Sequence, residues 1–324
     1  MPLPTRSPNS RVPWWIRLPL VVALGLLLAK TVLNLVVQTG WAITVKLRHN
    51  APACSWARTL TFYSDVQRFS KLYAAAKPTL AVKEYDPKLD IELIASPKRT
   101  YWIKRTGTTR DGLDLLAYLI AEHEWVIETS RKNLVRAGDI VLDCGAHVGT
   151  FASMALELGA AKVVAIEPDP VHLECLRRNF AEQIASGRVV VVPKGVWNSE
   201  KTLTLFLGVE NSGMNSVVER QGGAEIQIPV TTIDNLTRAL GLPRVDYIKM
   251  DIEGAEREAL RGAEDTIRQF RPRLIIEGYH LPDDTTALPA VISRIRPDYS
   301  TACGPCEPNF ENRNMLVPHF LFYE

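Results

Sequence analysis

From Ile140 onward, short Val- and Ile-rich runs alternate with stretches of helical apolar spacing, and this alternation constrains the fold more than any other feature. The runs "IVLDC", "KVVAIEP", "RVVVVP", "DYIKMDIEG" and "PRLIIEGY" read as strands. Between them, "TFASMALELGA" (stopping at Gly159), "VHLECLRRNFAEQI" and "AEREALRGAEDTIRQ" carry helical periodicity. Strands separated by helices predict an α/β fold with a doubly wound, mostly parallel sheet. "KTLTLFLG" and "AEIQIPVTTI" read as a β-pair added to that core. Ligands of such sheets sit at the carboxyl ends of the strands, which directs attention to the acids there.

Four carboxylates fall at those ends: Asp143, Glu167, Asp251 and Glu253. Asp143 to Gly149 reads D-x-G-x-H-x-G, a strand running into a glycine loop that opens a helix. Glu167 ends the next strand, where an acid accepts hydrogen bonds from ribose hydroxyls. A dinucleotide loop needs its second glycine so that the backbone can approach pyrophosphate, and here that place is taken by His147. Acids near the loop repel pyrophosphate and favour cations. S-adenosylmethionine carries a sulfonium and an ammonium and no phosphate, so it suits this loop better than NAD. Each piece also has a plainer explanation: turn glycines, a surface acid before Pro168, a helix N-terminal acid pair at Asp251 and Glu253, a loop histidine turned to solvent at His147. The combination, in order, at successive strand ends favours the functional reading.

Upstream, residues 1–13 form a basic, Pro-rich tail. "LPLVVALGLLLA" then starts an apolar stretch over residues 14–45, flanked by Trp14, Trp15 and Trp41, with Lys30, Asn34 and Gln38 forming one polar stripe at four-residue spacing. As a helix, Trp14 to Trp41 is about 42 Å long, which matches a bilayer with its headgroups. A single membrane span is the leading expectation; an in-plane amphipathic anchor and a cleaved signal peptide are the alternatives. Basic residues are nearly balanced on the two sides (Arg6, Arg11 and Arg17 against Lys46, Arg48 and Arg58), so orientation is undecided by charge. Residues 46–121 carry no motif. "GLDLLAYLIAEHEWVIETSRKNLV" has helical spacing ahead of the first strand.

The net charge of +2 lacks the basic excess usual in nucleic-acid proteins, and no such partner is expected. Five cysteines, three of them scattered (Cys54, Cys144, Cys175), argue against a disulfide scaffold. Cys303 and Cys306 form C-G-P-C, a thioredoxin-like spacing set in a Gly/Pro-rich loop instead of at the start of a helix. A loop with two thiols is the leading reading, a redox role the lesser one; a zinc site with a distant His would lack a second CxxC or HxxxH pair, so no metal is expected.

From about Glu122 to the C-terminus the chain resembles the FkbM family of S-adenosylmethionine-dependent methyltransferases. The stretches that carry the likeness are "GDIVLDCGAHVGTF", "VTTIDNL", "DYIKMDIEGAEREALRGAEDTI" and "PRLIIEGYH", with "NRNMLVP" closing the chain. The resemblance implies a Rossmann-like class I methyltransferase fold over residues 122–324, S-adenosylmethionine as cofactor, and O-methylation of a hydroxyl on a sugar or natural product. It places Asp143, Gly145, Ala146, His147, Gly149 and Thr150 along the methionine part of the cofactor, Glu167 on the ribose, and Asp251 near the methionine amine and the acceptor. The family usually has Asn at position 147 and a small aliphatic residue at position 144.

An alcohol nucleophile must lose a proton, so a base is needed within hydrogen-bond reach. Asp251, Glu253 and His280 are the candidates, His280 because its ordinary pKa is the most suitable. "NSGMNSVVE" (residues 211–219) is expected to shape the acceptor side. Cofactor supply puts the catalytic domain in the cytosol, tethered to a membrane and acting on a small-molecule, glycan or lipid-linked acceptor. The competing reading is a non-catalytic cofactor-binding or scaffold protein on the same fold.

Overall fold

A computed structural model describes residues 14–48, 53–105, 112–208, 212–220, 222–309 and 314–324. The 1–13 tail, Asn211 of the acceptor-side loop and the Asn312–Arg313 pair lie outside these residues, as do the side chains of Trp14 and Trp15.

The chain opens with helix α1 (Trp14–Leu47), then α2 (Trp56–Ala76), where the Ser55 hydroxyl caps the helix by accepting the Arg58 amide. Strands β1 (Ala81–Asp86), β2 (Ile91–Ala95) and β3 (Thr100–Lys104) form an antiparallel sheet that the sequence did not announce. Helix α3 (Gly112–Thr129) follows, so residue 122, where the family resemblance begins, falls inside a helix. The expected alternation then appears: β4 (Ile140–Cys144), α4 (Thr150–Glu157), β5 (Lys162–Ile166), α5 (Pro170–Asn179), α6 (Ala181–Ala185) and β6 (Val189–Val192). Next come β7 (Gly195–Val196), β8 (Lys201–Gly208) and β9 (Gly222–Thr231), where β8 and β9 are the added antiparallel pair. The chain closes with α7 (Ile233–Ala239), β10 (Tyr247–Met250), α8 (Glu256–Arg261), α9 (Glu264–Phe270), β11 (Arg273–Glu277), α10 (Asp284–Ile295), β12 (Thr301–Cys303), β13 (Cys306–Pro308), β14 (Leu316–Pro318) and β15 (Phe320–Tyr323).

The main sheet has the order β12-β15-β11-β10-β4-β5-β6, parallel from β11 through β6, with β15 antiparallel to both of its neighbours. Alternation along β4 sends Ile140, Leu142 and Cys144 into one apolar core and Val141 into the other, so helices cover both faces. The sheet is therefore doubly wound and mostly parallel, as the sequence predicts.

Two helices read as continuous are each broken. One stops at Phe180, whose ring lies against Gly149. The other is interrupted at Gly262, which packs so close to the Trp197 carbonyl that a Cβ there would lie 2.1 Å from its oxygen.

Within α1, Val22–Leu47 is long and apolar enough to cross a membrane, and its residues 22–38 lie exposed. Lys30, Asn34 and Gln38 are as exposed as the apolar face around them. Only the far end docks on the body: Ala42 and Val45 are buried against Phe62, Leu316, Cys54 and Cys306. The two cysteines are joined there by a disulfide across 252 residues of sequence. This corrects the expectation that Cys54 stands alone. The pairing links segments at opposite ends of the chain, so spacing could not reveal it.

Candidate active site

A cavity open to solvent lies at the carboxyl ends of β4, β5, β10 and β11.

The glycine loop forms one wall. Gly145 (φ +78°) and Gly149 (φ +87°) adopt left-handed backbone, and each has a packing reason to lack a side chain. A Cβ on Gly145 would lie 1.9 Å from the Asp251 carbonyl oxygen, and one on Gly149 would lie 2.2 Å from the Phe180 ring. Gly145, Ala146, His147 and Thr150 line the cavity, whereas Gly149 and Asp143 stand behind the wall. His147 occupies its glycine-like place at φ +50°, a conformation His tolerates better than most residues. Its ring is not turned to solvent. Nε2 lies 3.1 Å from Ser212 Oγ, the ring meets His172 edge-on at 4.3 Å between centroids, and burial holds the imidazole well below its ordinary pKa and therefore neutral.

Glu167 accepts the amides of His147 and Asp169, both at 2.9 Å, and stands 3.4 Å from His172 Nδ1. Burial opposes charge on His172, but Asp169 and Glu167 outweigh it and raise its pKa. Nothing in the local sequence singled out His172. Its backbone amide helps satisfy the Asp169 carboxylate that caps α5.

Lys249, on β10, reaches the same space. Its ammonium donates to Gly145 O at 3.1 Å and Asp251 Oδ2 at 3.2 Å and stands 3.8 Å from Asp143 Oδ1. Burial opposes this charge, yet Asp251 and Asp143 raise the lysine's pKa. Asp143 is fully buried, and burial pushes its carboxyl up to about 7 against the pull of Lys249.

The opposite wall concentrates acid. His280 Nδ1 lies 3.0 Å from Glu256 Oε1, while Nε2 faces Glu277 at 3.4 Å, Glu253 at 3.6 Å and Asp251 at 3.7 Å. Burial disfavours the imidazolium, but Glu256 and Glu253 raise the His280 pKa well above normal. The sequence offers His280 as a candidate base; the four carboxylates around the ring instead favour its charged form. Burial also raises Asp251, but Lys249 and His280 more than offset it and hold that carboxyl low. Burial and repulsion from Asp251 and Glu277 raise Glu253 to about 8, against His280. The Glu253 side chain keeps 21% of its surface open and lines the cavity, and its backbone is left-handed at φ +52°. Burial, then Asp251, raises Glu277 to about 7.

Beyond Glu277, the cavity-lining Glu122 meets His319 Nε2 at 2.9 Å, and His319 Nδ1 meets Glu307 at 2.6 Å. The donor atoms of Asp251, Glu253 and His280 lie within 4.8 Å of one another, as do those of Glu122, Glu277 and His319. Each triad is a set of oxygen and imidazole ligands able to take a divalent cation. Against this, Lys249 already supplies a cation beside Asp251, and both His319 nitrogens are engaged by carboxylates. The 211–219 loop contributes Ser212, Gly213, Asn215 and Val217 to the wall, and Ser216 Oγ ties it to the Glu253 carbonyl at 2.6 Å.

A doubly wound sheet with a glycine loop after its first parallel strand and an acid after its second belongs to the Rossmann-like class of nucleotide-cofactor folds. The chain belongs to the FkbM methyltransferase family: the Methyltransferase FkbM domain matches residues 143–304. It is 28% identical over 205 residues to the 31-O-demethyl-FK506 methyltransferase FkbM of Streptomyces tacrolimicus, covering 54% of this chain and 78% of that one. It is 27% identical over 168 residues to methyltransferase sdnD of Sordaria araneosa (42% and 65% covered). With the hexuronic acid methyltransferase AglP of Haloferax volcanii it shares 26% over 155 residues (46% and 61%). The chain thus spans less than two thirds of sdnD and of AglP. Among solved structures, methyltransferase FkbM from Methylobacillus flagellatus aligns at 21% identity and a TM-score of 0.43, over 82% of this chain and 62% of that one.

Proposed function

We propose that the chain is an S-adenosylmethionine-dependent methyltransferase that methylates a hydroxyl on a sugar, lipid-linked glycan or natural-product acceptor, tethered to a membrane by α1. The observation that carries this reading is the charge of the cavity. Among the described residues, Glu122, Glu167, Asp251, Glu253 and Glu277 line it, with Lys249 as its lysine and no arginine. Such a wall, with Glu167 and Asp251 on it, suits a cofactor that carries a sulfonium and an ammonium and opposes pyrophosphate. Two buried ring nitrogens beside the loop, His147 Nδ1 and His172 Nε2, have no hydrogen-bond partner among the described residues, which fits a wall built to meet a polar ligand.

On this reading Glu167 takes the ribose hydroxyls, Gly145 to Thr150 follow the methionine part, and Asp251 takes the amine, with Asp143 acting from behind through Lys249. The bound cofactor supplies an electrophilic methyl group. Glu253 accepts the acceptor's hydroxyl proton, because its raised pKa makes it a better base than Asp251. His280 holds the acids in place. The relatives' names support O-methylation as the type of reaction. The exposed apolar length of α1 supports the tether, and cofactor supply favours a cytosolic active site.

The test uses the full chain in lipid nanodiscs with methyl-tritiated S-adenosylmethionine and hydroxylated glycosides or lipid extract. Label in a product that survives mild alkali is expected, as for an ether. Alkali-labile label would indicate carboxylate methylation and sink the hydroxyl assignment.

A further inference from the structure

The C-G-P-C segment has no part in the proposed chemistry, yet it lies against the disulfide. Cys54 and Cys306 are bonded and almost wholly buried, whereas Cys303 is free and half-buried. Cys303 Sγ accepts the Ser55 amide at 3.4 Å, and Ser55 is the neighbour of Cys54 in the chain. Arg58, in the first turn of α2, donates from Nε to the Cys303 carbonyl at 3.3 Å. Two contacts thus hold the free thiol beside Cys54 at the N-terminus of a 21-residue helix, the positive end of its dipole. The other free thiols differ. Cys144 and Cys175 are buried in the body, and burial pushes both pKa values up, that of Cys175 to about 12.

We propose that Cys54, Cys303 and Cys306 form a thiol–disulfide exchange site, in which the bond that latches the N-terminal helices to the catalytic body passes from Cys306 to Cys303. The Cys303 thiolate attacks Cys54 Sγ. A Cys54–Cys303 bond forms as the Cys54–Cys306 bond breaks, and the electron pair leaves on Cys306 Sγ, which takes up a proton equivalent to the one Cys303 released to solvent. The step is an isomerisation and needs no oxidant. Opening the latch fully takes two electrons from a small thiol reductant, the class of molecule that keeps cytosolic cysteines reduced.

Exchange reaches the cavity through β13. Cys306 begins that strand, and its neighbour Glu307 holds His319, which holds Glu122 on the cavity wall. The proposal goes beyond the methyltransferase reading and does not depend on it.

The experiment maps disulfides in the full-length wild-type protein in nanodiscs. The protein is incubated at pH 8 with substoichiometric 2-mercaptoethanol, or held at pH 4, then acid-quenched, alkylated with N-ethylmaleimide and digested. Fragmentation at the Gly304–Pro305 bond separates the Cys54–Cys303 isomer from the Cys54–Cys306 isomer. The expected result is that the Cys54–Cys303 peptide appears at pH 8, is absent at pH 4, and is lost in C303S while the Cys54–Cys306 peptide persists. Wild type that holds only Cys54–Cys306 at pH 8, with Cys303 fully alkylated, overturns the proposal. Because the wild type carries the test, a folding defect in C303S cannot rescue it.

Discussion

Glu253→Gln is expected to slow methyl transfer by roughly 10²–10⁴-fold, the usual worth of a positioned base, while leaving S-adenosylmethionine affinity within a few-fold. Glutamine keeps the side chain's shape and removes its proton affinity. The same residue sets the pH dependence. Its pKa is raised to about 8, so the basic form is gained as pH rises through that value, and kcat/KM should climb there instead of near the ordinary carboxylate range. Asp251, Glu277 and His280 face Glu253 in the same cavity, so the ascending limb belongs to the group of acids together. With saturating cofactor, the sulfonium charge should shift the limb in kcat to lower pH. A stopped assay across pH 5.5–9.5 (about four units, wide enough to bracket a raised carboxylate) checks both. An unchanged rate and profile in the variant would remove Glu253 from the chemistry.

Gly145→Ala carries the largest expected effect on stability. The added Cβ would sit 1.9 Å from the Asp251 carbonyl oxygen, at a backbone φ of +78°. The left-handed conformation alone costs about 1–2 kcal/mol. Relieving the overlap must push the ends of β4 and β10 apart, where the Asp251 amide is bonded to the Cys144 carbonyl. Together these reach on the order of 4–5 kcal/mol, a large part of what a domain possesses. Gly241→Ala is the matched control: φ is +57° and nothing lies within 4 Å of the new Cβ, so only the conformational cost of about 1–2 kcal/mol remains. Chemical denaturation of both variants measures the difference. Equal losses would mean that the contact at Gly145 relaxes freely.

The strands of the main sheet were legible because burial on both faces demands unbroken apolar runs such as "VVAI" and "LII". The helix breaks at Phe180 and Gly262 were not, since each coincides with a contact to a residue distant in sequence, Gly149 or Trp197. Strands β12 and β13 are three residues long, too short to alternate visibly, and they absorb C-G-P-C into the edge of the fold. At the site, the acids at strand ends could be read from order alone. The state of His280 could not, because its four carboxylates come from β11, the start of α8 and the turn after β10, and only folding adds their fields at one ring. His147 shows the opposite limit: its place in the loop was plain, but its partners, Ser212 and His172, lie far along the chain or on another element.

The acid-walled cavity is expected to hold a cationic, phosphate-free cofactor. The most direct measurement is calorimetric titration of the full chain in nanodiscs with S-adenosylmethionine and, separately, with NAD, with Glu167→Ala alongside the wild type. Saturable S-adenosylmethionine binding by the wild type is expected, at least about tenfold weaker in Glu167→Ala, a loss of roughly 1.4 kcal/mol, with no binding of NAD. A folded wild type that binds NAD, or that binds neither ligand, would contradict it.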